Sequence, residues 1–103
     1  MKILVTSQQL RKIRMLRHGE IPAGVDVDVP SLVERRGVGF KNTSTATVTI
    51  RPGVDVEFLA NWLYDKLRDE PTTWLTINRL EVRIAKDEIA RVIHEEISKE
   101  IQP

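Results

Sequence analysis

The chain contains no cysteine. That excludes a disulfide framework, a thiol nucleophile and a thiolate metal site. Aromatic residues are scarce, with two Trp, two Phe and one Tyr, so the core must be mostly aliphatic. No apolar run approaches the ~18 residues of a membrane span, and the opening MKILVTS is too short in apolar residues for a signal peptide. A cytoplasmic protein of a prokaryote or virus is the expected setting, with no membrane among its partners. The serines at positions 7, 31, 44 and 98 sit in no nucleophile motif, and neither His18 nor His94 has a neighbour at metal-ligand spacing. On this inventory the chain is expected not to be an enzyme and to use no cofactor and no metal.

What is present is enough for one core. Leu, Ile, Val and Phe make up 32 of the 103 residues, well above a disordered composition. The length suits a single domain spanning residues 1–103. The formal net charge of +1 conceals a split. Residues 1–53 hold nine Lys or Arg against four Asp or Glu, net +5; residues 54–103 hold seven against eleven, net −4. Such a split marks either a surface for nucleic acid or an acidic partner, or two halves that attract each other within a chain or between copies. Solvated faces of ordinary elements produce it as well.

Residues 54–69 read as the central helix. Phe58, Leu59, Trp62, Leu63 and Leu67 recur at helical spacing, and Asp55 is a suitable cap. Ahead of it come a short strand over residues 2–5 and a capping box, Thr6 to Gln9, opening a helix that runs to His18 and stops at Gly19. Residues 25–29 alternate as a half-buried strand, and residues 45–50 alternate with Ala46, Val48 and Ile50 on one side. Residues 30–36 can form helical turns, followed by an exposed glycine-bearing loop. After Pro71 the pattern predicts a hairpin turning at Asn78-Arg79, with Ile77 facing Leu80 and Leu75 facing Val82 on the buried side. Trp74 and Arg83 then face each other outside, in reach of a cation–π contact. A last helix over residues 87–101 carries Ile89, Ile93, Ile97 and Ile101, with Glu95, Glu96 and Glu100 on its solvent side. The implied fold is α+β, a small mixed and mainly antiparallel sheet of four or five short strands with two or three helices on one face.

One nine-residue pattern occurs twice, as IPAGVDVDV from Ile21 and IRPGVDVEF from Ile50. It reads as one turn chemistry used in two places, because glycine and proline favour the same turn wherever they recur in that order.

Four constellations are candidates for function. The helix QQLRKIRMLRH gathers Arg11, Arg14 and His18 on one side with Lys12 and Arg17 flanking, and no acid precedes Glu20. Such a helix can lie along phosphates, although no second helix follows at helix-turn-helix spacing. Arg35, Arg36 and Lys41 flank glycines in a loop whose amides could hold an anion, without a Walker or dinucleotide fingerprint. Asp26 and Asp28 point to one side of a strand about 6.6 Å apart, a spacing that can hold a divalent cation but more commonly just faces water. The fourth constellation is Trp74 with Arg83, the composition of an interface anchor, against the commoner arrangement of a tryptophan tucked under a loop of its own domain. The expected function is a non-enzymatic binding, regulatory or assembly module acting through protein–protein contacts. Its partner would be another protein or a second copy. The alternative is a small nucleic-acid-binding regulator using Arg11, Arg14, Arg17 and the basic loop 35–41.

Overall fold

The computed structural model describes residues 1–29, 44–69 and 71–101. In chain order its elements are β1 (Lys2–Ser7), α1 (Leu10–Met15), β2 (Val25–Asp28), β3 (Ser44–Ile50), α2 (Val56–Leu67), β4 (Thr73–Ile77), β5 (Leu80–Val82) and α3 (Lys86–Ile101). The expected helical turns at 30–36 and the loop after them lie outside the described residues.

The strands form one antiparallel sheet in the order β2-β3-β1-β4-β5, so the first strand of the chain becomes the middle of the sheet. Period-two alternation assigns each strand an inner and an outer row. Ile3, Val5, Ala46, Val48, Ile50, Leu75, Ile77 and Val82 are buried in one cluster with residues of all three helices. The outer row holds Lys2, Leu4, Thr6, Thr45, Thr47, Thr49, Trp74, Thr76 and Glu81, all exposed or half-buried.

The central helix forms as its pattern predicts, capped by Asp55, whose Oδ1 accepts the Phe58 N–H at 3.1 Å. Its buried stripe differs from the expected one. Val56, Leu59, Ala60, Trp62, Leu63 and Leu67 face inward, while Phe58 is 53% exposed. α3 packs along α2, and the buried stripe runs through Val56 and Ala60 rather than through Phe58. On α3, Ile89 and Ile93 are fully buried, and Glu96 is buried with them rather than facing solvent. Glu96 lies three residues after Ile93 and four after Val92, so it shares their face; Lys99 Nζ reaches its carboxylate at 3.6 Å.

The capping box does not form. Thr6 stays in β1, its hydroxyl sharing a hydrogen bond with Thr45 Oγ1 at 2.9 Å. Ladder pairing on both sides of β1 holds the strand extended through Ser7, and a local cap competes poorly with that. Ser7 Oγ, fully buried, instead accepts the Gln9 N–H at 3.0 Å and bonds Thr73 Oγ1 at 2.8 Å. At its far end α1 stops at Met15, before the expected His18. The amides of Leu16, Arg17 and His18 bond three residues back, tightening the last turn before Gly19 at φ +82°.

The hairpin has the predicted register, with Leu75 opposite Val82, Thr76 opposite Glu81 and Ile77 opposite Leu80. Asn78 and Arg79 take φ of +47° and +71°, the type I′ geometry, although Arg79 is not the glycine this turn favours. Leu80, expected on the buried side, is exposed because β5 is a short edge strand.

Candidate functional site

Three surfaces present unspent side chains, and the first is the outer row of the sheet. Cross-strand pairing sets Leu4 opposite Thr76 and Thr6 opposite Trp74, which makes Leu4 and Trp74 diagonal neighbours on one face. They are 37% and 40% exposed. Polar residues surround them: Thr6, Thr45, Thr47, Thr76 and Glu81. Trp74 is therefore on the side that hairpin parity assigns to it, and no loop among the described residues buries it.

The second surface is a cleft of about 940 Å³ at one end of the sheet, where the end of α2 meets the start of β4 and the end of β5. Its walls include Tyr64, Arg68, Trp74 and Arg83. Trp74 and Arg83 thus line one cavity, as their expected proximity requires, but the predicted cation–π contact between them is absent. The cation found over a ring is Lys86, whose Nζ lies 5.8 Å from the Tyr64 centroid. The chain leaves β5 through a tight turn in which the Ala85 N–H donates to the Arg83 carbonyl at 2.8 Å, and this carries Arg83 away from the ladder. Tyr64 and Arg68 escaped the sequence reading. Their four-residue spacing on the central helix was the available signal.

The third surface is the outer side of α1. Ile13 and Leu16 are fully buried, leaving Arg11, Arg14, Arg17 and His18 exposed beside a half-exposed Met15. None of the three arginines has an ion-pair partner among the described residues. Three cations elsewhere are engaged. Arg51 binds Asp26 through Nε at 3.1 Å and Nη2 at 2.9 Å. Lys66 Nζ donates to the carbonyls of Met15 and His18 at 3.2 and 2.8 Å, closing the end of α1. Arg91 sits between Glu88 and Glu95, whose hydrogen bonds and then charges raise its pKa above the ordinary arginine value. Arg35, Arg36 and Lys41 lie outside the described residues.

Of the Asp26 and Asp28 pair, Asp26 is engaged by Arg51. His94 Nε2 lies 3.4 Å from Glu57 Oε1, an exposed pair between α3 and α2. Among the described residues no three His, Asp or Glu side chains gather where they could hold a metal ion. Nor is any described helix long and apolar enough to cross a membrane.

The two copies of the repeated pattern stand side by side. The Arg51 N–H donates to the Gly24 carbonyl at 2.8 Å, and Gly24 and Gly53 take φ of +82° and +88°. The turn chemistry is shared, after which one copy enters a strand and the other a helix. Between them Ile21 and Phe58 border a hollow of about 510 Å³. Compared with protein-family models, curated proteins and solved structures, the chain matches none, so its function must be argued from its own residues.

Proposed function

We propose that this protein is a non-enzymatic binding or assembly module, cytoplasmic, that acts through protein–protein contacts, including contact with a second copy of itself. The observation that carries this reading is Trp74, exposed on the open sheet face with Leu4 as its diagonal neighbour and a polar surround. Large apolar side chains ringed by polar ones are the composition of interface hot spots, where a desolvated centre supplies most of the affinity. The test is a photo-crosslinking residue placed at position 74 and, as control, at Ser98 on the exposed side of α3. Discrete adducts from position 74 alone, each containing a defined protein or a second copy of the chain, are the expected result. Equal adducts from both positions, or none from either, would overturn the reading.

A second reading, nucleic-acid binding, is favoured by one separate observation: Arg11 and Arg14 on α1, and Arg17 just past it, are exposed without a carboxylate partner among the described residues. Unpaired cations on one short face suit phosphates and release counterions on binding. Its test is DNA and RNA affinity at about 50 and 200 mM salt, where several phosphate contacts cost orders of magnitude. Steep salt dependence that is lost in an Arg11→Glu, Arg14→Glu variant supports this reading. Absence of binding at the lower salt removes it.

A further inference from the structure

The end of the sheet that carries Trp74 is also where its ladder is incomplete. β4 begins at Thr73, but β5 pairs with it only as far back as Leu75, opposite Val82. Beyond Val82 the chain turns through Arg83 to Ala85 into α3. No described strand therefore lies beside Thr73 and Trp74 on the β5 side, and the cleft of about 940 Å³ opens there. An extended backbone is the shape that continues a strand position, with alternate side chains falling on one face.

The chemistry of the walls narrows the occupant. Arg68, just past α2, and Arg83, just past β5, come from two different layers and line the same cleft. Both are exposed, and neither is paired with a carboxylate among the described residues, although Asp69 and Glu81 line the cleft as well. A guanidinium presents a planar fork of donors that matches a carboxylate, and two such forks favour an occupant with more than one. Trp74 and Tyr64 add broad apolar surface against which an extended chain can lie.

We propose that this cleft binds a short extended peptide segment with acidic side chains, which lies beside the start of β4, packs on Trp74 and meets Arg68 and Arg83 with its carboxylates. This rests on the protein-binding reading above and specifies the partner's chemistry.

The test titrates the full chain with a capped pentapeptide of alternating glutamate and valine, and with the same peptide carrying lysine for glutamate. The readout is tryptophan fluorescence. A Trp74→Phe variant assigns the signal, since Trp62 remains. The glutamate peptide should change the emission of the wild type and not of that variant. In an Arg68→Glu, Arg83→Glu double variant its affinity should fall roughly tenfold or more, and the lysine peptide should become the preferred one. Because both arginines are exposed and no ion pair holds them among the described residues, the double variant should keep the wild-type circular dichroism and thermal midpoint.

Equal response to the two peptides, no response to either, or unchanged glutamate-peptide affinity after the double reversal would each overturn the inference. So would a single-stranded oligonucleotide that displaces the glutamate peptide and binds more tightly, since that would reassign the cleft to phosphate. If the inference fails while position 74 still yields discrete protein adducts, the binding module stands and only the acidic peptide is lost.

Discussion

Trp62 and Trp74 lie on opposite sides of the sheet and do different things. Trp62 belongs to the helical layer, is 8% exposed, and joins the buried cluster of α2, although its Nε1 has no hydrogen-bond partner among the described residues. Trp74 stands on the outer row, 40% exposed, in contact with solvent along a face of threonines. The covered side accounts for its large side chains through burial, the main favourable term in folding. Nothing among the described residues covers Leu4 and Trp74 in that way. The comparison teaches that apolar area on the inner row is there to hold the fold, whereas apolar area on the outer row is free to serve a contact.

Substitutions on the two sides should therefore separate into distinct classes, with the largest effects on the inner side. Replacing Trp62 by Ala leaves a hole in a packed cluster and should cost about 3–5 kcal/mol in chemical denaturation. Ser7→Ala probes the polar end of the same side, since it strips Thr73 of a buried partner and Gln9 of an acceptor. About 1–3 kcal/mol should be lost, read as a fall in the denaturation midpoint at constant slope. Asp55→Ala removes the cap that orients α2 and should lower stability by about 1 kcal/mol, with Asp55→Asn recovering most of it. Trp74→Ala should cost about 1 kcal/mol or less, the scale of strand propensity and cross-strand packing, and leave the chain folded. Its effect should appear instead as lost association, measured by sedimentation or crosslinking. Should Trp74→Ala unfold the chain to the extent that Trp62→Ala does, the outer side is a core after all and the distinction between the two tryptophans disappears.

A second contrast runs between the helices. On α3 the one arginine is held between two glutamates, while Arg11 and Arg14 on α1, and Arg17 just past it, stand without carboxylate partners among the described residues. Among the described residues, no ion pair from this segment offsets the opposed net charges of the two halves. The salt titration of nucleic-acid binding tests whether those arginines meet an external anion.

Much of the architecture was legible from local pattern. Alternation identified the inner rows of β2 and β3, the two-residue turn set the register of the hairpin, and parity put Trp74 outside. The Asp55 cap and the isoleucine row of α3 were readable for the same reason: each depends on residues within a few positions of one another. The misreadings share the opposite cause. Thr6 was assigned to a cap because its own neighbours suit one, but its pairing with Thr45, distant in sequence, keeps it in the sheet. Phe58 shares the helical spacing of Leu59, Trp62 and Leu63, while the direction of the buried stripe depends on where the other helices pack on α2. Glu96 looked solvent-facing for the same reason. The cleft was invisible to any local reading, since Tyr64 and Arg68, Trp74, and Arg83 come from three separate segments joined at one end of a sheet. Periodicity and turn chemistry act over a few residues, so they define elements and their faces. Strand order, the helix faces that meet and the gap beside Thr73 arise from pairing across the chain, and those long-range contacts place the candidate site.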